Sequence, residues 1–292
     1  MAEPGGAGSR LAGLVSAGVS LALLATVAFQ FRRLDFAAIL SLVPGRSAFW
    51  PVFAAWYLAE PLFDWVIYRR LWRVAWGGFA ALLRKKVSNE LLLGYLGEVQ
   101  FYAWARSRLD TVAAPFAAVK DVTILSALTG NLATLAMLAL SWRLVAHGQL
   151  GTETRMVFLS LGVVLVTSLA ILLFRASLFS LPRPTLWWIS AVHALRIAAL
   201  IGLAAWMWHL VLPDVAFWLW LVLATLRMLV SRLPMIPNKD VVFAGLAVFL
   251  LGHEGEVGSL MTMMAGLLLI ANIAVAALLA GADLARSRRR AA

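Results

Sequence analysis

This 292-residue chain has few charged side chains and no cysteine. Charged residues make up 13% of it, against roughly 25% in a soluble domain, and hydrophobic residues make up 63%. So few charges cannot cover a surface that faces water, and the composition predicts a protein whose outer surface faces lipid. The absence of cysteine excludes disulfides, thiolate nucleophiles, iron–sulfur clusters and thiolate-bound zinc.

The sequence also lacks the short motifs of several enzyme classes. Its four histidines form no HExxH pair, and it contains no GxxxxGK[ST] phosphate loop, no GxSxG elbow and no Asp-rich cation-binding repeat. We therefore predict no catalytic residue, no metal site and no cofactor, and we favour a transporter-like protein over an enzyme. An integral-membrane transferase that modifies lipids is kept as an alternative.

The net charge of +11 comes from 25 lysines and arginines against 14 acidic residues. Because these basic residues fall mostly between apolar segments, they are better explained by membrane orientation and anionic head groups than by nucleic acid. The strongest basic clusters lie in Arg69–Lys86, which we interpret as a loop, and in the tail 282–292. Both are predicted to lie on the cytoplasmic side, which carries the Lys/Arg excess.

Apolar stretches recur along the chain, separated by short polar or basic segments. Those long enough, or nearly long enough, to cross a bilayer are Leu11–Phe31, Ala48–Tyr68, Ala113–Trp142, Met156–Leu173, Leu186–Leu210, Val215–Val230 and Gly258–Leu279. Three shorter stretches are Leu34–Val43, Glu90–Trp104 and Val241–Leu251. We interpret the first of these as an interfacial segment, the second as a re-entrant hairpin and the third as a short crossing.

These segments predict an all-α, polytopic transmembrane helix bundle of about seven or eight spans. Two re-entrant or broken-helix elements are expected within it, one around Gly94–Glu98 and one around Pro234–Asp240. The second is either a re-entrant turn or an ordinary interfacial loop. Residues 1–10 are predicted to be a disordered N-terminus, residues 11–281 a single transmembrane domain, and residues 282–292 a basic cytoplasmic tail.

Ionisable residues within the apolar segments are candidates for function, because each is costly to hold away from water. Glu60 and Asp64 lie four apart on one helical face, so their carboxylates could share a proton or hold a cation. Alternatively, they pair with basic residues of neighbouring helices and lock the bundle. His193 and Arg196 lie three apart, and the arginine suits a phosphate or carboxylate. The alternative for Arg196 is snorkelling or a structural pair.

Two further groups complete the candidate residues. Gly94 and Gly97 permit either a break in the helix or a close approach of another backbone. A break would leave Glu98 pointing into a polar cavity. The alternative is a continuous helix with two small packing residues. Lys120 and Asp121 are adjacent, so they are not expected to face each other on one helix. Each needs a partner elsewhere, and an ion pair between Lys120 and Glu98 is one candidate.

Four short stretches carry a resemblance to a known family. They are Arg33-Leu34-Asp35, Arg69-Arg70-Leu71-Trp72-Arg73, Gly94-Tyr95-Leu96-Gly97-Glu98 and Leu233-Pro234-Met235-Ile236-Pro237. In kind and in order they resemble the membrane domain of the lysylphosphatidylglycerol synthase and flippase family, and the Gly-x-x-Gly-Glu core is the sharpest match. Asn238-Lys239-Asp240 stands where that family has glycines, and Ala244 where it has a glutamate.

The resemblance implies a multi-pass protein of a bacterial inner membrane that binds or translocates an anionic lipid or lipid-linked intermediate. The residues predicted to bind or move this substrate are Glu60, Asp64, Gly94, Gly97, Glu98, Lys120, Asp121 and Arg196. The expected partners are anionic membrane lipids, with a membrane protein or a second copy of the chain as a further partner. A non-catalytic subunit of an envelope lipid or polysaccharide assembly is the alternative function.

Overall fold

A computed structural model of the chain describes residues 48–91, 96–108, 115–147, 178–232 and 254–291, together with Gly45 and single positions from 162 to 169. This part of the chain is helical and contains no strand, as the all-α prediction requires. Its helices are α1 (Phe49–Trp72), α2 (Trp76–Leu91), α3 (Leu96–Arg108), α4 (Pro115–His147), α5 (Arg183–Val211), α6 (Phe217–Arg232) and α7 (Glu254–Ala291).

Two of the described helical segments are long and apolar enough to cross a membrane. They are Arg183–Val211, which is α5, and Ser259–Asp283 within α7. The apolar part of α6, Phe217–Met228, is shorter. The segments Leu11–Phe31, Leu34–Val43 and Val241–Leu251, the break at Pro234–Asp240, Gly94 and most of Met156–Leu173 lie outside the described residues. The number of spans therefore stays a prediction.

The chain divides into two compact units. Within the described residues, the first unit contains 60–91, 96–108, 115–119 and 262–291. The second contains 48–59, 120–147, 178–232 and 254–261. Helices α1, α4 and α7 each contribute to both units.

In the first unit, α2 and α3 follow each other in the chain and pack together as a helical hairpin. The prediction of a loop over Arg69–Lys86 is wrong for most of that stretch, because only residues 73–75 separate α1 from α2. The first arm of the hairpin is thus longer than predicted and begins at Trp76 rather than Glu90. Arg84, Lys85 and Lys86 lie on α2 because carboxylates of neighbouring helices neutralise them.

Gly97 sets the distance between the two arms of the hairpin. A Cβ atom added at this position would lie 2.2 Å from the backbone oxygen of Lys85 and 2.7 Å from Oδ1 of Asn89. The backbone of α3 therefore touches the backbone of α2, and only glycine leaves room for this contact. The prediction that Gly97 is a residue of close backbone approach agrees with this geometry.

Other contacts in the first unit join the hairpin to α1 and α7. The ring of Phe101 on α3 lies 4.6 Å from that of Tyr68 on α1, and both side chains are buried. Val87 and Leu91 on α2 pack with Ala276 on α7. These contacts place α2 among three other helices, which explains how charged side chains on it come to be buried.

In the second unit, α5 and α6 form an antiparallel pair closed by the turn 212–216. The fully buried indoles of Trp208 and Trp220 meet edge to face at 5.9 Å. Pro182 and Pro184 flank the start of α5, where proline is well tolerated because the first N–H groups of a helix have no partner within it. The predicted segments Leu186–Leu210 and Val215–Val230 correspond to these two helices.

Candidate functional site

A set of polar side chains in the first unit connects α1, α2 and α3, and we refer to it as the charge network. Its members are Glu60, Asp64, Lys85, Lys86, Asn89, Glu90 and Glu98. Four of the seven are carboxylates and two are lysines, so the network carries an excess of two formal negative charges.

Lys85 lies at the centre of the charge network. Its Nζ is 2.7 Å from Oδ2 of Asp64 and 3.4 Å from Oε1 of Glu98, and both Lys85 and Asp64 are buried. Burial alone would lower the pKa of Lys85, but the attraction of Asp64, Tyr68, Glu98 and Glu60 outweighs it and raises the pKa above its ordinary value. Lys85 therefore stays charged throughout the physiological pH range. Its helix, α2, is not one of the two helices able to cross a membrane.

Lys86 occupies the more open side of the charge network. Its Nζ lies 3.4 Å from Oε2 of Glu60 and 3.5 Å from Oε1 of Glu90. The lysine itself is buried, whereas the side chains of Glu60 and Glu90 are partly exposed. The longer distances and the partly exposed carboxylates make the ion pairs of Lys86 the more open part of the network.

Asn89 forms hydrogen bonds both to the side chain of Glu98 and to the backbone at the start of α3. Its Nδ2 donates to the Glu98 carboxylate at 3.1 and 3.3 Å, and its Oδ1 accepts the backbone N–H of Gly97 at 2.7 Å. Glu98 lies in the first turn of α3, where the partial positive charge of the helix N-terminus attracts a carboxylate. Ser88, the residue before Asn89, is buried and donates to Oε1 of Gln100 at 2.8 Å.

The network brings together three candidate residues from the sequence and adds four others, Lys85, Lys86, Asn89 and Glu90. Glu60, Asp64 and Glu98 meet here, and Glu60 and Asp64 pair with separate lysines of a neighbouring helix, as in the second interpretation of that pair. Lys85 and Lys86 were missed because they were assigned to a loop, and Asn89 was missed because it lies between that loop and the predicted hairpin. Their signal was helical spacing: Lys85 and Asn89 share a face with the buried Leu82.

Lys120 and Asp121 lie in the second unit and hold the chain before α5. Oδ2 of the buried Asp121 accepts the backbone N–H groups of Ser180 and Leu181 at 2.7 and 2.8 Å. Nζ of Lys120 donates to the backbone oxygen of Leu178 and lies 3.3 Å from Oδ1 of Asp121. The expectation that these neighbours cannot meet is wrong, because the long lysine side chain folds back over the adjacent carboxylate.

The structure does not form the candidate pair between Lys120 and Glu98. Lys120 bonds to the segment 178–180, and Glu98 bonds to Lys85 and Asn89. Each charge is thus satisfied within its own unit. The sequence alone does not show which residues pair with Lys120 and Glu98, because contacts between residues far apart in the chain leave no regular spacing in the sequence.

Arg196 also belongs to the second unit and points inward. Its guanidinium donates to Oγ of Ser126 on α4 at 2.7 Å, and both Arg196 and His193 are buried. A buried arginine on an apolar helix is compatible with the predicted role of binding a phosphate or carboxylate. Because it is buried, Arg196 does not snorkel to an exposed surface.

We expect Asp121→Leu to lower the free energy of unfolding by about 2 kcal/mol, because two backbone N–H groups lose a charged acceptor while partly exposed Ser180 regains water. Asp121→Asn keeps a side-chain oxygen at the same place and should lose less than half of that. Chemical unfolding of the protein purified in a non-ionic detergent measures both. Equal losses in the two variants would contradict the assigned role of the side-chain acceptor.

Among the described residues, no group of three His, Asp or Glu side chains is suited to hold a metal ion. Comparison of the chain with known protein families, with curated proteins and with solved structures gives no match.

Proposed function

We propose that this chain is a multi-pass protein of a bacterial inner membrane that binds or translocates an anionic lipid or lipid-linked intermediate. The observation that carries the proposal is the charge network, a set of ion pairs around two buried lysines on a helical hairpin that contains Gly97 and Glu98 of the Gly-x-x-Gly-Glu core. The resemblance to the lysylphosphatidylglycerol synthase and flippase family, which rests on the same core, belongs to this proposal.

The distribution of side chains around α5 supports a membrane location. Trp187, Leu195 and Trp206 are 77%, 61% and 52% exposed, whereas His193 and Arg196 are buried. A helix that is apolar on its exposed face and polar on its buried face is unsuited to water and suited to lipid. Trp187 and Trp206 lie near opposite ends of the helix, where indoles sit at the two interfaces of a bilayer.

The energetics of the charge network support a function beyond stability. Replacing a buried ion pair with apolar residues of similar volume is often neutral or stabilising, so such a pair is weak support for a purely structural role. A network with more carboxylates than lysines can also exchange partners. In the proposed mechanism, a head-group phosphate reaches Lys86 and replaces Glu60 or Glu90, while Lys85 remains held by Asp64 and Glu98.

Lipid movement in proteoliposomes tests this function. The purified protein is reconstituted with a fluorescent anionic phospholipid, and dithionite then bleaches the outer leaflet. We expect bleaching beyond the outer-leaflet fraction with the unmodified protein and a loss of at least tenfold in its rate with Glu98→Gln. Glutamine can keep the bond to Asn89 but removes one of the two charges that hold Lys85.

Asp214→Asn is the matched control, because Asp214 is an exposed carboxylate in the turn between α5 and α6. It should move lipid at the unmodified rate. Unchanged movement in Glu98→Gln would remove the charge network from the mechanism. Bleaching no deeper than in empty vesicles would favour a non-catalytic subunit of an envelope assembly, which should instead co-purify with a partner.

A further inference from the structure

Arg73 closes α1 in a backbone conformation that arginine rarely adopts. Its φ is 54°, in the left-handed region, and its N–H donates to the backbone oxygen of Arg69 at 2.9 Å. Glycine is the usual residue at this position after a helix, because it reaches this region without steric cost. The fold of the turn therefore favours glycine, and the arginine side chain needs another explanation.

Two indoles and a guanidinium are stacked beside Arg73. The rings of Trp65 and Trp76 lie 4.3 Å apart and nearly parallel, and the guanidinium of Arg69 lies 4.7 Å from the centre of the Trp65 ring. Trp65 is buried, but Trp76 is 66% exposed. Trp65, Arg69, Arg73 and Trp76 together form what we call the Arg–Trp turn.

The two arginines of this turn are available to an outside anion. Arg69 and Arg73 are both exposed, and no carboxylate among the described residues pairs with either of them. The nearby acidic residues of α1, Glu60 and Asp64, are engaged by lysines of the charge network. A guanidinium suits phosphate because its planar N–H groups donate in pairs, and stacking on an indole orients it.

The face of α1 that leads to the turn indicates which phosphate is bound. Leu62 and Val66 are exposed apolar residues, Arg69 follows them at helical spacing, and the exposed Arg73 comes directly after the helix. Along this face, exposed aliphatic side chains are followed by exposed arginine and tryptophan. This order is typical of a helix that passes from the hydrocarbon layer into the head-group region. An acidic protein or a nucleic acid would explain the arginines but not the exposed Leu62, Val66 and Trp76.

We propose that the Arg–Trp turn is a binding site for anionic phospholipids, in which Arg69 and Arg73 hold the phosphate and Trp76 lies among the glycerol and upper acyl groups. This inference rests on the membrane location proposed above, but it does not require that the protein moves lipid. It assigns a second lipid contact, outside the charge network and accessible from the bilayer.

The test uses the full chain in a non-ionic detergent, with native mass spectrometry to measure the affinity for dioctanoyl phosphatidylglycerol. We expect Arg73→Gly and Arg69→Ala each to weaken this binding about fivefold, as the loss of one basic residue near an anionic lipid predicts. The binding of dioctanoyl phosphatidylcholine should not change. Arg73→Gly should also unfold at the same or a higher temperature, because glycine fits the left-handed position better.

Arg183→Ala is the control, since Arg183 is an exposed arginine of the other unit, and it should bind phosphatidylglycerol normally. Unchanged phosphatidylglycerol binding in both turn variants would overturn the proposal. The proposal would also be overturned if sodium phosphate, at the same concentration as the lipid, displaced it. That result would indicate a site for free anions. A turn variant that loses binding but still moves lipid would separate this site from the proposed function.

Discussion

Lys85→Met is expected to lower the free energy of unfolding by about 3–5 kcal/mol, the range found when one partner of a buried ion pair is removed. Methionine keeps most of the aliphatic length of the lysine, so packing changes little. The loss comes from Asp64 and Glu98, whose carboxylates then lie in a buried position without their shared cation. Chemical unfolding in detergent measures the effect.

Arg84→Met is the matched control for this prediction. Arg84 is the preceding residue on α2 and also forms an ion pair, but its partner Asp283 is about half exposed. We expect it to cost about 1 kcal/mol or less, because water replaces the partner of an exposed charge. Equal losses in Lys85→Met and Arg84→Met would mean that the centre of the charge network is not shielded from water.

A double variant tests the pairing itself. Asp64→Leu combined with Lys85→Met removes both charges of the closest pair. We expect the double variant to lose less free energy of unfolding than the sum of the losses in the two single variants. A coupling energy of about 2 kcal/mol would support a direct interaction between buried groups. Simple additivity would contradict the ion pair described between α1 and α2.

Gly97→Ala is expected to have the next largest effect, a loss of about 3 kcal/mol, at the upper end of what overpacking causes. The new methyl group would meet the backbone oxygen of Lys85, which cannot turn away as a side chain can. The arms of the hairpin must then separate, which also weakens the bond from the Gly97 N–H to Asn89. Lipid movement should fall with stability, because Glu98 is placed by the same contact.

Gly202→Ala is the comparison for that substitution. A Cβ atom at Gly202 on α5 would meet nothing within 4 Å, so alanine there should be neutral or stabilising by up to about 1 kcal/mol. Both variants are unfolded under the same conditions in detergent. If Gly97→Ala were as stable as Gly202→Ala, the backbones of α2 and α3 would not be in contact in solution.

The apolar helices were the most predictable part of the fold. Leu186–Leu210 and Gly258–Leu279 were recognised from long apolar runs, and both correspond to helical segments able to cross a membrane. Helix α2 was not recognised, because Arg84, Lys85 and Lys86 interrupt its apolar pattern. A basic run usually marks a solvated loop, and only the carboxylates brought by α1 and α3 make it a buried helix.

The candidate site was predictable in part for the same physical reason. Glu60, Asp64 and Glu98 stood out because carboxylates are rare in apolar segments, and this rarity is visible in a single sequence. Their partners depend on which helices touch, which a sequence pattern does not contain. The interaction between Lys120 and Asp121 was missed for a different reason, since helical geometry constrains the backbone of neighbours more than the end of a lysine side chain.

The position of the charge network along the chain has a consequence for biosynthesis. All of its members lie within the segment from Glu60 to Glu98. By contrast, the hydrogen bond of Lys120 to Leu178 forms only after another 58 residues have been synthesised. Contacts between residues close in sequence form early, and chains fold from the N-terminus as they are made. The ribosome therefore releases all members of the charge network before the second unit is complete, so α1, α2 and α3 can neutralise Lys85 and Lys86 while the rest of the chain is still being made.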